Sequence, residues 1–187
     1  MRVIAGSAGG VMLAAPRDRH TRPISDRIKE ALFGILGAKV SGARVLDLYA
    51  GSGAIGIEAL SRGAERATFV ERGAPAITAL RANLARTRLA DRAAVITGGV
   101  KPFLDRDGAR GHDLAILDPP YDERAILAPL QRLAAQIELG GTVVVKHFWR
   151  TPVPEPPGLV QVRVRRFGET TLTFLTRSMP GASERFP

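Results

Sequence analysis

The sequence predicts an α/β fold built on a mostly parallel sheet with helices on both faces. Three observations predict it. From Ala43 onward, short apolar runs alternate with longer segments of helical spacing, the pattern of a parallel sheet with crossover helices. The first run feeds directly into a glycine-rich turn, Gly51-Ser52-Gly53-Ala54-Ile55-Gly56. The last two runs, Val160–Arg166 and Thr171–Leu175, alternate apolar and polar residues as an antiparallel pair does, so the sheet is mixed.

The elements follow in order. Arg2–Ala5 and Val11–Ala14 flank Gly9-Gly10 and read as a small hairpin. Residues 16–23 are polar and basic. Ser25 or Asp26 can cap a helix whose apolar face is Ile28, Ala31, Leu32, Ile35 and Leu36, with Gly37 as its stop. Arg44–Leu48 is a buried strand, followed by the glycine turn and a helix over Gly53–Ser61. Ala67–Glu71 is the second strand. Pro75–Arg88 has helical spacing, and Pro75 suits a first turn. Ala94–Thr97 and Asp113–Leu117 are the next strands, separated by a short helix near Lys101–Asp105. Arg124–Ile137 is a helix, Thr142–Lys146 a strand, and Pro152–Gly158 a proline-rich loop. The division is an N-terminal hairpin and helix extension (1–40), a main domain (41–177) and a patternless tail (178–187).

Composition narrows the function classes. The chain has 187 residues, 45% hydrophobic and 24% charged, which excludes a disordered chain, a collagen and a coiled coil. It has no cysteine, so disulfides, Cys-zinc sites, Fe–S clusters and cysteine nucleophiles are excluded. His20, His112 and His147 are far apart in sequence, and no metal site is expected. No apolar run reaches the roughly 18–20 residues of a membrane span, and the N-terminus lacks the apolar stretch of a signal peptide. The reading is a cytoplasmic protein without membrane contact. Lys+Arg number 27 against 18 Asp+Glu, a net charge of +9, and all but Lys29, Lys39, Lys101 and Lys146 of those cations are arginines. Such a surface attracts polyanions, and arginine adds bidentate phosphate contacts and stacking on bases.

The segment Asp47–Gly56 sits where the first strand meets the first helix. In an open α/β sheet that is where a ligand binds, beyond the carboxyl ends of the strands. Glu71 follows Gly51 by 20 residues and ends the next strand, where a carboxylate would meet ribose hydroxyls. The loop matches the dinucleotide fingerprint literally, which keeps a nucleotide-dependent oxidoreductase open as an alternative. Asp47, however, ends the strand just before the loop. A carboxylate there opposes a pyrophosphate but suits the cationic amino-acid end of S-adenosylmethionine.

The second motif is Asp118-Pro119-Pro120-Tyr121, placed after the fourth strand at the same sheet edge. Two prolines fix the backbone and remove N–H donors, leaving carbonyl acceptors. Asp118 and the Pro119 carbonyl can accept the two hydrogens of an exocyclic amine, and Tyr121 can stack on its base. Such an amine is a poor nucleophile because its lone pair is delocalised. Two acceptors favour a pyramidal nitrogen and stabilise the positive charge that develops on it.

With both motifs in place, the chain resembles class I, Rossmann-like methyltransferases, and most closely the bacterial 16S rRNA (guanine-N2)-methyltransferases of the RsmD type. The resemblance rests on Arg2-Val3-Ile4-Ala5-Gly6, on Thr21–Phe33, on Val45–Ala64 almost letter for letter, on Asp118–Tyr121, and on Arg165-Arg166-Phe167-Gly168. It implies a seven-stranded sheet, S-adenosylmethionine as methyl donor and a guanine of 16S rRNA as acceptor. The chemistry requires no metal, the RNA is expected within a 30S subunit or an assembly intermediate, and a small single domain is expected to act as a monomer. The resemblance also implies a donor site at Asp47, Gly51, Gly53 and Glu71, with Tyr49, Ala50, Ser52 and Arg72 beside them, and a base site at Asp118, Pro119, Pro120 and Tyr121. Many relatives carry an acidic residue after the third strand, where this chain has Gly98-Gly99-Val100. Adenine contact is therefore expected from the backbone near Gly99 and from packing on Val100. Lys146-His147 also stands where an acidic residue often follows the fifth strand, and both are read as peripheral. Arg17, Arg19, Arg22, Arg27, Arg165 and Arg166 are the candidate RNA contacts, which would position the polymer rather than specify the base. Phe148 and Trp149 are expected to pack at the sheet edge rather than to form a stacking platform. The alternatives are a DNA adenine-N6 methyltransferase, which the lack of a separate target-recognition domain disfavours, and a non-catalytic RNA-binding assembly factor, which would need neither motif.

Overall fold

The computed structural model describes residues 1–16, 24–119 and 124–178. The strands are β1 (Arg44–Leu48), β2 (Arg66–Glu71), β3 (Ala93–Thr97), β4 (Leu114–Leu117), β5 (Thr142–Phe148), β6 (Leu159–Phe167) and β7 (Thr170–Arg177). They form one seven-stranded sheet in the order β3-β2-β1-β4-β5-β7-β6. The first five in that order are parallel, and β7 runs antiparallel to both β5 and β6. The chain builds outward from β1 to β3, then returns to lay β4 on the other side of β1. The switch point between β1 and β4 is where an open α/β sheet leaves a crevice.

The helices are α1 (Asp26–Leu36), α2 (Ala54–Ser61), α3 (Ala74–Thr87), α4 (Val100–Leu104) and α5 (Arg124–Gln136). Ser25 caps α1 by accepting from the Ile28 N–H, and Gly37 ends it. Two apolar clusters cover the two faces of the sheet. One joins Val45, Ile57, Leu60, Phe69, Leu80, Ile116 and Val144 to Val3, Leu13, Leu32 and Phe33. The other joins Leu46, Leu48, Leu117 and Val145 to Leu104, Leu130, Leu133 and Ile137. Alternate residues of each central strand serve opposite clusters, as period-two geometry requires of a sheet buried on both sides.

The N-terminal segment folds back on itself as the expected hairpin: Arg2 bridges Met12, the Val3 N–H donates to the Val11 carbonyl at 3.0 Å, and the Leu13 N–H donates to the Met1 carbonyl at 3.0 Å. Other backbone groups of the segment are held by α2. Glu58 accepts from the Ile4 and Ala5 N–H groups at 2.7 and 3.1 Å, and Ser61 Oγ accepts from the Ala8 N–H at 2.9 Å. Glu58 also faces Lys29 of α1 at 3.3 Å, with both side chains fully buried. Lys29 in turn donates to the Arg2 carbonyl. One buried ion pair thus fastens the first residues and α1 to the sheet's helical layer.

The antiparallel end follows the sequence reading. β6 pairs with β7, but Val160, Val162 and Val164 remain 39–48% exposed. β6 is the outermost strand of the sheet, so its valines have no apolar layer to meet. The tail beyond 178 lies outside the described residues. Among the described residues no helix is long and apolar enough to cross a membrane.

Candidate active site at the sheet rim

Register places the two motifs together. Val70, Leu48, Leu117 and Val145 form one row across β2, β1, β4 and β5. The next residue on each strand is Glu71, Tyr49, Asp118 and Lys146. Parallel strands about 4.8 Å apart deliver all four to the same rim, with Glu71 and Asp118 separated by two strand spacings, about 10 Å. The Asp118 N–H also donates to the Leu48 carbonyl at 3.4 Å.

Asp47 is buried and its Oδ2 accepts from the Gly56 N–H at 2.9 Å. Gly53 precedes α2 and has no side chain to cap it, so Asp47 supplies the cap from β1. Burial pushes the Asp47 carboxyl up to about 8; the Gly56 bond opposes this, while Asp118 and Glu71 add to it. The packing explains two of the loop's glycines. A Cβ on Gly53, whose φ is +79°, would lie 2.2 Å from Leu80 Cδ1, and one on Gly56 would lie 2.3 Å from Phe69 Cε1. Gly51 is different, because a Cβ there meets nothing within 4 Å. The loop is closed against the protein at Gly53 and Gly56 and open outward at Gly51.

Glu71 ties this loop to the end of β2. Its Oε2 accepts from the Gly51 N–H at 2.9 Å, and its Oε1 accepts from the Arg72 and Gly73 N–H groups at 2.8 and 2.7 Å. Tyr49 sits between the two motifs with φ at 61°, a left-handed conformation that costs a non-glycine residue about 1–3 kcal/mol and clusters at functional sites. Burial raises its phenol pKa, and the charge of Arg72 draws it down. Ala50 and Ser52 are buried within the loop, whereas Arg72 is exposed. Gly99 caps α4, and Val100 is buried among Leu48, Val70 and Leu104.

Asp118 and Pro119 are partly exposed at the rim. Pro120 and Tyr121 lie outside the described residues, as do Arg17, Arg19 and Arg22. Arg27 is exposed on α1, and Arg165 and Arg166 are exposed on β6. Arg166 lies over the Trp149 ring at 4.0 Å and Arg150 over the same ring at 4.6 Å. Trp149 thus stands half-open in a guanidinium stack rather than simply packed against the sheet edge.

Two site residues were missed by the sequence reading. Lys146, taken as peripheral, donates from Nζ to Asp118 Oδ1 at 2.7 Å. The register of β4 against β5 brings them together, and sequence alone does not reveal that register. Asn83 of α3 is fully buried, donates to the Ser52 and Ala14 carbonyls at 3.0 Å each, and accepts from the Ala14 N–H at 2.8 Å. It braces the glycine loop against the N-terminal segment. A polar residue between Leu80 and Leu84 on the apolar face of a helix was the available signal.

The family profile described as conserved hypothetical protein 95 matches residues 1–176. The chain belongs to this family. A member from Bacillus subtilis, provisionally named rRNA methyltransferase YlbH, is 39% identical over 175 residues, covering 91% of this chain and 95% of that protein. The ribosomal RNA small subunit methyltransferase D of Escherichia coli is 39% identical over 121 residues, 65% of this chain and 60% of that protein. An Escherichia coli structure, provisionally named methyltransferase yhhF, superposes with a TM-score of 0.83 at 29% identity over 95% of this chain and 98% of that one. A hypothetical protein from Thermus thermophilus does so at 0.79 with 34% identity over 95% and 99%. The family is thus the RsmD-type methyltransferase family that the motifs resemble, and its fold is the class I methyltransferase fold.

Proposed function

We propose that this family member uses S-adenosylmethionine to methylate the exocyclic N2 amine of a guanine in 16S rRNA, within a 30S subunit or an assembly intermediate in the cytoplasm. The observation that carries the reading is the single rim shared by Glu71, the glycine loop and Asp118. Its support from relatives is that they are named as rRNA and small-subunit rRNA methyltransferases.

The rim residues fit the donor chemically. Asp47, Glu71 and Asp118 crowd enough that the other two raise the Asp47 pKa. Such a field repels a pyrophosphate and favours a ligand with a cationic end. Glu71 would hold the ribose hydroxyls, and the open side of Gly51 leaves room for close approach. Asp47, poised near neutrality, would release its proton when a cationic amine arrives, because an opposite charge favours the carboxylate. Gly99 and Val100 would border the adenine. When bound, the donor supplies an electrophilic methyl group on a sulfonium.

At the other half of the rim, Asp118 and the Pro119 carbonyl would accept the amine's two hydrogens. They would turn its lone pair out of the ring plane and stabilise the charge that grows on nitrogen. The nitrogen must also lose a proton, which the Asp118 carboxylate would accept. Pro120 and Tyr121 would complete the base site. Arg17, Arg19, Arg22, Arg27, Arg165 and Arg166 would contact phosphates, and the target base must leave its stack to reach the rim. Mass-spectrometric mapping of rRNA from a strain lacking the gene tests the reading: loss of one N2-methylguanine is expected, and an unchanged guanine methylation pattern refutes the rRNA role.

A further inference from the structure

Val144 of β5 shares a register row with Ile116 of β4 and Asp47 of β1. Lys146 and Asp118 lie two residues further along their strands. Residues two apart in a strand share a face, so both belong to the sheet face that carries Asp47. There Lys146 Nζ meets Asp118 Oδ1 at 2.7 Å, with the lysine side chain 12% exposed and the aspartate 24%. A pair this sheltered is screened weakly by salt, unlike the exposed ion pairs elsewhere on the chain, such as Arg110 with Asp107.

We propose that Lys146 is a positioning residue for methyl transfer, holding one oxygen of Asp118 so that the other is presented to the amine of the target base. The inference rests on the reading of Asp118 as the group that holds the base. Both of its demands on Asp118, a fixed direction and a negative charge, are ones a partly buried carboxyl does not meet alone. An unpaired carboxylate at the rim would rotate among its low-energy orientations. It would also tend to hold its proton, since burial is the largest influence on Asp118 and raises its pKa. Lys146 acts against both. Its hydrogen bond fixes the carboxylate plane, and its charge and hydrogen bond pull the pKa back down.

Among the described residues, the charged groups bearing on Asp118 are Lys146 from β5 and Asp47 from β1. With its carboxyl pushed to about 8, Asp47 is mostly protonated at neutral pH and opposes Lys146 little. His147, the next residue, belongs to the opposite face, where Thr173 is its partner at 2.8 Å. The pairing also has a direct consequence for the reacting amine. The lysine neutralises the aspartate's charge only in part at the free oxygen, so that oxygen still attracts the amine hydrogens and the positive charge behind them. A lysine that faced the amine directly would repel that charge.

The test uses K146M, which keeps the aliphatic stem and removes the charge, and K146R, which keeps the charge. In the free full-length protein with 13C-labelled aspartate carboxyls, Asp118 should titrate at higher pH in K146M. A displacement of about one unit or more is the usual reach of an adjacent opposite charge. With 30S particles as substrate, the acid limb of the kcat profile should move to higher pH in K146M by a matching amount. At neutral pH kcat should fall by about ten- to a hundredfold, the scale of a misaligned reacting group, with donor affinity unchanged. K146R should recover most of the loss. Equal Asp118 titration in wild type and K146M overturns the proposal. So does a loss of activity in K146M with an unmoved acid limb and no recovery in K146R, the result expected of a purely structural contact. A wild-type protein that transfers no methyl group to rRNA refutes the functional reading instead. The carboxyl titration, measured without donor or RNA, separates the two failures.

Discussion

Replacing Asp47 with asparagine should stabilise the fold at neutral pH and weaken donor binding together. Burial raises the Asp47 carboxyl from an ordinary 3.8 to about 8 in the folded protein. Between those values the folded state keeps a proton that the unfolded state releases, so stability falls as pH rises through that window and levels off above the folded value. Each pH unit costs about 1.4 kcal/mol, so the accumulated cost at pH 7 is about 4 kcal/mol. Asparagine carries no such cost, and its amide oxygen can still accept the Gly56 N–H that Asp47 accepts at 2.9 Å. For a chain of this size about 2–4 °C accompanies each kcal/mol. Asp47→Asn should therefore raise Tm over wild type by roughly 8–16 °C at pH 7, and more than half of that gap should close at pH 5. Thermal melts of both proteins from pH 4 to 9 measure the gap, and the comparison cancels groups common to both, such as His112 and His147. Calorimetric titration with S-adenosylmethionine should show affinity reduced about tenfold or more, the worth of a hydrogen bond to a charged group. A Tm difference that does not vary with pH, or a variant less stable throughout, would refute the buried-carboxyl argument.

Two other substitutions separate the site from its scaffold. Asp118→Ala should abolish turnover while leaving donor binding nearly intact, measured by labelled methyl transfer and calorimetry; turnover surviving within a few-fold would show that Asp118 does not hold the base. Lys29→Met should destabilise the fold by about 3 kcal/mol in urea denaturation, the lower end for breaking a buried pair, because Glu58 keeps Arg62 at 2.7 Å. A loss below about 1 kcal/mol would indicate that the Lys29–Glu58 pair behaves as an exposed one.

The sequence made the rim legible because its parts obey local rules. The strand at Arg44–Leu48, the loop at Gly51–Gly56 and the strand ending at Glu71 each declare themselves by periodicity or by glycine. Parallel topology then sends every strand end to one side. What escaped is what depends on register or on burial of charge. Lys146 reads as an exposed cation until β5 is aligned with β4, and only then does it fall beside Asp118. Lys29 and Glu58 look like ordinary solvent-facing helix residues, yet both are fully buried because the N-terminal segment lies over them. Asn83 escaped for the same reason, since its partners Ala14 and Ser52 are remote in sequence. The valines of β6 are a further case. Their alternation shows the antiparallel pairing but not their exposure, which follows from the place of β6 at the edge of the sheet.

On the proposed function, the donor half and the base half of one rim act together on an amine of rRNA. Transfer of an isotope-labelled methyl group from S-adenosylmethionine to 30S particles, free 16S rRNA and DNA, followed by nucleoside analysis, tests it most directly. Labelled N2-methylguanosine is expected in the rRNA of 30S particles, and none in DNA. Labelled N6-methyladenine in DNA, or no transfer to any of the three, would contradict this reading.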